Sequence, residues 1–239
     1  MREALEILTL APREWPALFR VPRLWKVEAL FGAFYLLRLP SWDIWLQTRH
    51  LSRPKEDFRF GETPYSAGLE ILQEARVGPH DVFYDLGAGK GKMTFLATLA
   101  TGCRAVGLEM LASYPLISRR IVRALRLEGR AEFQHADFLK ADLGEATVLY
   151  AAASSWSQST RELLLERVAG LTPGTRWISV GWECRHPALE LVSARRLLFS
   201  WGRDHAWFYR VRSLEGPHLT IAEDLESPTS PADGVADQG

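Results

Sequence analysis

The sequence has little of several features that mark broad classes of protein. Only two cysteines occur among its 239 residues, Cys103 and Cys184, and they lie far apart without the spacing of metal ligands. We therefore expect neither a disulfide framework nor a metal site. The charges balance, with 29 lysines and arginines against 29 aspartates and glutamates, so no excess of positive charge indicates a nucleic-acid partner.

The chain also lacks an apolar run long enough to cross a bilayer, which takes about 20 residues. Its longest candidate, residues 27–39, contains Glu28 and Arg38 and stops at Pro40. We interpret this run as a helix that packs on the rest of the protein or on a partner subunit, with peripheral membrane contact as the alternative. The first residues do not have the pattern of a secretory signal, and we expect a cytoplasmic protein.

Composition divides the chain into three regions. Residues 1–58 form a leader rich in tryptophan and leucine, for which we predict helices. Residues 59–213 form a patterned body that we expect to be the catalytic domain. Residues 214–239 form a polar tail rich in proline, serine and acidic residues, which we expect to be disordered.

The body alternates β-branched runs with helical patterns, which is typical of βαβ units around a parallel sheet. The predicted strands span residues 81–86, 104–108, 131–136, 147–151 and 176–180, and the predicted helices span 65–75, 91–100, 112–127 and 157–169. Two more strands, over 191–201 and 205–211, should form an antiparallel hairpin with its turn at 202–204. We therefore predict an α/β fold with a doubly wound, Rossmann-like sheet of seven strands. Thr63 and Pro64 have the pattern of a helix N-cap and first turn before residue 65.

A glycine-rich loop follows the first predicted strand of the body. It reads Asp85-Leu86-Gly87-Ala88-Gly89-Lys90-Gly91-Lys92, and such a turn lets a ligand approach the backbone closely. A dinucleotide-binding fingerprint would need glycine at Lys92, whereas this loop has its third glycine at Gly91 and an acid before its first glycine. The loop therefore resembles motif I of the methyltransferases that use S-adenosyl-L-methionine (SAM), and SAM is the expected cofactor.

Carboxylates near the predicted strand ends suit this cofactor. Asp85 is placed to attract the positive sulfur and amine of SAM. Glu109 ends the second strand, where a carboxylate can accept hydrogen bonds from both ribose hydroxyls, and its alternative interpretation is an exposed strand-end acid. After the third strand, Asp137 can accept from the adenine amine, and Phe138 can cover the ring unless it is only a core residue.

These motifs, with Gly61-Glu62-Thr63 upstream of the glycine loop, resemble the non-SET lysine methyltransferases of the disruptor-of-telomeric-silencing type. The resemblance covers about residues 59–181 and implies a class I methyltransferase sheet. It also implies that Phe60 and Thr63 lie in a loop over the methionine end of SAM, which Glu62 organises. The predicted cofactor-binding residues are then Phe60, Glu62, Thr63, Asp85, Gly87, Ala88, Gly89, Gly91, Lys92, Glu109, Asp137 and Phe138.

One segment departs from the pattern of that family. After the fourth strand the histone enzymes carry Asn-Asn-Phe-Ala-Phe, whereas this chain has Ala152-Ala153-Ser154-Ser155-Trp156. Histone specificity therefore does not carry over, and we expect a prokaryote-like relative with another acceptor. Tyr150, Ser154 and Trp156 are the candidate catalytic residues at the substrate mouth. Trp156 can wall a lysine stem and a serine can orient its amine, while ordinary packing is the alternative for Trp156.

The expected activity is N-methylation of a lysine in an acceptor protein, with SAM as methyl donor. The alternative acceptor is a small amine or a lipid-associated molecule that the apolar leader helps to reach. A hypothesis of another class is a regulator that binds SAM without catalysis. No general base is obligatory, because solvent can take the proton that an amine acceptor loses.

Overall fold

The computed structural model of the protein describes residues 10–35 and 61–213. Its helices are α1 (Leu10–Arg20), α2 (Leu24–Tyr35), α3 (Tyr65–Glu74), α4 (Lys92–Thr101), α5 (Ser113–Ala124) and α6 (Gln158–Ala169). Its strands are β1 (Val82–Leu86), β2 (Arg104–Glu109), β3 (Ala131–His135), β4 (Val148–Ala152), β5 (Arg176–Val180), β6 (Leu189–Phe199) and β7 (Gly202–Val211). The predictions for Phe60, for residues 36–39 of the apolar run and for the tail from residue 214 lie outside the described residues.

The strands form one sheet with the order β3-β2-β1-β4-β5-β7-β6. The first five of these pair in parallel, and β7 runs antiparallel to both β5 and β6. The predicted doubly wound sheet with a terminal hairpin is therefore confirmed. Because β1, β2 and β4 are parallel, their carboxyl ends lie at one edge of the sheet. At this edge the strand order changes direction between β1 and β4, and we call this place the reversal point.

The hairpin turn differs from the prediction. Phe199 pairs with Gly202, so the turn consists of Ser200 and Trp201, and residues 202–204 already belong to β7. The prediction of a turn at 202–204 was therefore wrong. Gly202 has a φ of +119°, a conformation open to glycine, which lets β7 begin directly after a two-residue turn. The consequence is that Trp201 occupies the tip of the hairpin.

The sheet is covered on both faces, because successive residues of a strand point to opposite sides. Phe83 of β1 contributes to a buried cluster with residues of α3 and α4, such as Ile71 and Leu96. Its neighbour Tyr84 contributes to a second cluster with Leu164 and Val168 of α6. The two apolar layers hold the strand ends at the reversal point in a fixed arrangement.

The leader packs on the body. Val27 and Phe31 of α2 are buried in a cluster with Phe95 of α4 and Ile117 of α5. Arg23 adds a hydrogen bond of 2.6 Å from Nη2 to the carbonyl oxygen of residue 125. The interpretation of the apolar run as a packed helix is confirmed for its described part. No helix within residues 10–35 and 61–213 combines the length and the hydropathy needed to cross a membrane.

Helix α3 begins at Tyr65, as predicted, but its N-terminus is capped differently. Its N-cap residue is Pro64, which makes no side-chain capping bond, so the predicted cap by Thr63 was wrong. The carboxylate of Glu14, in α1, takes this place, accepting from the backbone N–H groups of Tyr65 at 2.8 Å and Ser66 at 3.0 Å. A carboxylate at the positive end of a helix is favoured by the helix dipole. Glu14 therefore ties the leader to the segment that enters the site.

Candidate functional site

The loop between β1 and α4 has a backbone that glycine permits. Gly87, Gly89 and Gly91 have φ values of +74°, +53° and +86°, in the left-handed region where other residues are strained. The backbone N–H groups of Gly87 and Ala88 both donate to the carbonyl oxygen of Leu108, at 2.9 and 3.0 Å. The loop is thereby folded back on the end of β2, and its backbone forms one wall of a pocket.

The pocket opens at the carboxyl ends of β1, β2 and β4, and most of the predicted site residues meet there. The described residues that line it are Gly61, Glu62, Thr63, Asp85, Gly87, Ala88, Gly89, Lys90, Lys92, Met93, Glu109, Met110, Leu111, Tyr114, Phe138, Tyr150, Ala152, Ser154, Ser155, Trp156 and Trp201. Two predicted residues, Gly91 and Asp137, are outside this lining. Phe60 is outside the described residues.

Gly91 and Asp137 have visible structural tasks next to the pocket. A Cβ atom on Gly91 would lie 2.1 Å from the ring of Phe133, so the absence of a side chain lets the loop pack on β3. The Asp137 carboxylate accepts from the backbone N–H of Leu139 at 2.9 Å in the turn after β3. Both residues shape the chain around the pocket.

Glu109 is buried and bonded to the backbone on both sides. Its Oε2 accepts from the N–H of Gly89 at 2.8 Å, and its Oε1 accepts from the N–H of Leu111 at 2.8 Å. Burial raises the pKa of the Glu109 carboxyl, and these backbone bonds oppose that rise. The alternative of an exposed strand-end acid is therefore wrong. A carboxylate has about four acceptor positions, and the backbone bonds from Gly89, Met110 and Leu111 leave about one for a ligand.

Asp85 is a buried carboxyl at the end of β1. Its Oδ2 accepts from the N–H and the hydroxyl of Thr94, at 3.1 and 2.8 Å. Burial raises the pKa of Asp85 to about 7, against the opposing effect of the two Thr94 bonds, and the negative charge of Glu109 adds to the rise. Near neutral pH this group therefore exists in both protonation states.

A network of charges closes the pocket at residues 61–63, the entry segment before α3. Glu62 accepts from Lys90 Nζ at 2.8 Å and lies 3.5 Å from Lys92 Nζ. Burial opposes ionisation of Glu62, but the two lysines outweigh it and lower its pKa. Lys92 Nζ also lies 3.8 Å from Glu28 of α2 and 4.5 Å above the ring of Tyr65. The glycine loop, the entry segment and the leader are thus joined through these side chains.

One wall of the pocket is aromatic. The Tyr150 hydroxyl lies 2.5 Å from the Thr63 hydroxyl, and burial raises the pKa of Tyr150 well above its ordinary value. Trp156 is buried and stacks on Phe138, with the ring centroids 4.6 Å apart. Ser154 also lines the pocket. Trp156 therefore both packs on Phe138 and lines the pocket.

Trp201 is a pocket residue that the sequence did not single out. Its Nε1 donates to Asp204 at 3.1 Å, and a Cβ atom on Gly61 would lie 2.7 Å from its ring. The backbone N–H of Glu62 donates to the hydroxyl of Ser200 at 2.9 Å. This hydrogen bond joins the hairpin turn to the entry segment. The misplaced turn concealed this contact, since Trp201 was assigned to a strand.

Comparisons with known protein sequences agree with this geometry. A profile of the family described as "Histone methylation protein DOT1" matches residues 53–190. A protein-lysine N-methyltransferase of Saccharolobus islandicus is 31% identical over 130 residues, which cover 52% of this chain and 76% of that protein. A histone-lysine N-methyltransferase, H3 lysine-79 specific, of Cryptococcus neoformans is 39% identical over 57 residues, and the match spans only 9% of its length.

Solved structures share the fold. An RNA methyltransferase from Salinibacter ruber, in complex with S-adenosyl-L-homocysteine, matches with a TM-score of 0.54 and 28% identity. That match covers 70% of this chain and 99% of the other. A geranyl diphosphate C-methyltransferase from Streptomyces coelicolor A3(2) matches with a TM-score of 0.50 at 17% identity, over 62% of this chain and 79% of that chain, which shows a common fold alone.

Proposed function

Because the chain belongs to the family of histone methylation protein DOT1, and with it to the class I SAM-dependent methyltransferases, we propose that it methylates the side-chain amine of a protein lysine. SAM is its cofactor. The acceptor is supported by the archaeal relative named as a protein-lysine methyltransferase, three quarters of which the match covers. The missing Asn-Asn-Phe-Ala-Phe segment argues for an acceptor other than a histone.

The residues around the pocket fit SAM. When bound, SAM supplies a methyl group on a positively charged sulfur. We assign the positive end of SAM to Asp85 and the ribose to the acceptor capacity that Glu109 has left. Phe138 covers the adenine, and the entry segment with Glu62 and Thr63 closes over the methionine end and excludes water.

The observation that carries the acceptor assignment is the aromatic wall of the pocket. This wall contains Tyr150, Trp156 and Trp201. Their rings can pack on the aliphatic stem of a lysine and present an aromatic face to its amine. Ser154 and Ser155 add hydroxyl groups that can orient that amine. Tyr150 keeps its proton at neutral pH, because its pKa is raised, so we assign it to the wall and not to proton removal.

SAM should bind more tightly as the pH rises from about 6 to 8, with release of a proton on binding. The physical reason is Asp85, whose pKa of about 7 leaves it partly protonated, while the positive end of SAM requires the carboxylate. Below pH 7 each pH unit should cost up to about tenfold in affinity. Titration calorimetry in two buffers of different ionisation enthalpy measures both the affinity and the released proton.

Ionisation of Asp85 should strengthen SAM binding but lower the stability of the ligand-free protein. An unfolded Asp85 ionises near 3.8 and the folded one near 7, so the folded state holds the proton more strongly. Its stabilising contribution is complete below pH 3.8 and is lost as the pH rises toward 7. Asp85→Asn should remove the pH dependence of SAM affinity, and a variant that kept it would show that another group titrates.

A protein acceptor can be tested by incubating the chain with methyl-labelled SAM and a cell extract. We expect label in a protein band and N-methyl-lysine after acid hydrolysis. The Glu109→Ala variant, in which the predicted ribose ligand is removed, is the control that should give little transfer. Label that ribonuclease removes, or that an organic solvent extracts, would point to an RNA or a small acceptor and contradict the proposal. SAM binding without any transfer would favour the non-catalytic hypothesis.

A further inference from the structure

The leader exposes a cluster of aromatic side chains. Trp15, Phe19 and Trp25, here called the aromatic triad, are 53%, 68% and 40% exposed. Their rings touch one another, with centroid separations of 5.3 Å for the two tryptophans, 6.3 Å for Trp15 and Phe19, and 6.5 Å for Phe19 and Trp25. Large contiguous aromatic surface on a protein commonly marks a site of interaction.

The charges of the leader are sorted between its two sides. Glu14 bonds to the start of α3 and Glu28 accepts from the Tyr65 hydroxyl at 2.6 Å, so both of these carboxylates are engaged with the body. The basic residues Arg20 and Lys26 are exposed and adjoin Phe19 and Trp25 in sequence, whereas Arg23 donates to the carbonyl oxygen of Leu125 in the body. Around the exposed aromatic rings, the described side chains of the leader thus contribute positive charge.

The leader that carries the triad contacts segments that line the pocket. Trp15 follows Glu14, whose carboxylate holds the N-terminus of α3, two residues after the pocket residue Thr63. Trp25 precedes Glu28 by three residues, and Glu28 lies 3.8 Å from Lys92, another pocket residue. A surface that binds the leader is therefore brought near the segments that line the site.

We propose that the aromatic triad, with Arg20 and Lys26, docks the protein on an anionic lipid surface. Tryptophan and phenylalanine rings favour the boundary between headgroups and acyl chains, and nearby lysines and arginines attract anionic headgroups. Peripheral membrane contact through residues 27–39 was the alternative interpretation of the sequence, but Val27 and Phe31 are buried against the body. The outward face of the leader is the docking surface instead.

The docking surface has a consequence for the acceptor, which rests on the proposed methyl transfer. A protein held at a lipid surface beside its pocket meets lysines that lie at the same surface, including those of proteins embedded in that membrane. Transfer to acceptors in a washed membrane fraction should therefore exceed transfer to the soluble fraction. The binding to lipid itself needs no methyl transfer, so the two proposals fail separately.

Sedimentation with lipid vesicles tests the docking. We expect the full chain to bind phosphatidylcholine vesicles that contain phosphatidylglycerol, and to bind pure phosphatidylcholine vesicles more weakly. Replacing Trp15, Phe19 and Trp25 together with alanine should weaken binding by about tenfold or more, since three exposed aromatic groups lose their burial in lipid. A matched control replaces Leu163, Leu191 and Val192 with alanine, three exposed apolar residues elsewhere, and should bind as the unchanged chain does.

Further variants separate the alternatives. Arg20→Glu with Lys26→Glu should weaken binding to the anionic vesicles alone, and added salt should do the same. All variants should keep the SAM affinity of the unchanged chain, which shows that they are folded. Absence of binding to anionic vesicles, or equal losses in the triad variant and its control, would overturn the proposal. A dimer of the unchanged chain that does not bind vesicles, and that the triad substitutions convert to a monomer, would also overturn it. A second copy of the chain would then cover the triad.

Discussion

Replacing Glu109 with alanine should lower both the SAM affinity and the stability of the ligand-free protein. Its two oxygens accept from the backbone N–H groups of Gly89 and Leu111, and the variant leaves both donors without that partner in a buried place. Each unsatisfied buried donor costs about 1–3 kcal/mol, so we expect the free energy of unfolding to fall by about 2–6 kcal/mol. Loss of the ribose acceptor should weaken SAM binding by at least about tenfold. Calorimetry and urea denaturation measure the two effects.

Two other variants make this result interpretable. Glu109→Gln should be intermediate, because its one oxygen can serve one N–H donor while its amide group faces the other. Glu132→Ala is the matched control, since Glu132 is an exposed acid of the neighbouring strand whose pair with Arg104 spans 3.3 Å. Exposed pairs contribute about 0–1 kcal/mol, so this variant should change little. A Glu109→Ala protein of unchanged stability and weakened affinity would mean that the two backbone bonds contribute nothing to the fold.

The second large effect is expected at Gly91. Gly91→Ala should lower the free energy of unfolding by at least about 3 kcal/mol. One part of the cost is the left-handed backbone, with a φ of +86°, and the other is the clash of the new Cβ with the Phe133 ring at 2.1 Å. Phe133 cannot move aside easily, because it is buried and packs against Phe95 at 5.0 Å. Urea denaturation of the ligand-free protein measures the loss.

Gly129→Ala is the matched control, since Gly129 has a φ of +74° but no atom within 4 Å of the Cβ position. It should lose only the backbone cost of about 1–2 kcal/mol. The double variant Gly91→Ala with Phe133→Ala should lose less than the sum of the single variants, because the clash disappears with the ring. Equal losses for Gly91→Ala and Gly129→Ala would contradict the packing role of Gly91.

Much of the fold could be predicted because its signals are local. The strands of the body and the helices between them were predicted from periodicity within about three residues of their ends. The glycine loop was recognised from eight consecutive residues, and three of its glycines do adopt positive φ. Glu109 and Phe138 were placed near that loop from their positions after strands, and both line the pocket. The roles assigned to these side chains in binding SAM stay predictions.

The errors concern residues that meet across long distances in the chain. Thr63 was assigned as a helix cap, but its hydroxyl meets Tyr150, 87 residues away, while Glu14 caps the helix from 51 residues away. Trp201 was hidden in a strand because Gly202 and the two polar residues after it resemble a turn. No pattern in the sequence states which distant partner will take a hydrogen bond.

The sequence by itself determined the order of strands and helices, the glycine loop and the family, because each depends on neighbouring residues. Only the tertiary structure decided that Glu109 is a buried tie between the loop and β2, and that Trp201 faces the pocket. It alone also divided the leader into an inner face that packs on the body and an outer face that carries the aromatic triad. The physical reason is that burial and hydrogen bonding depend on which surfaces the folded chain brings together, and apolar residues such as Trp25 and Val27 look alike until one is covered.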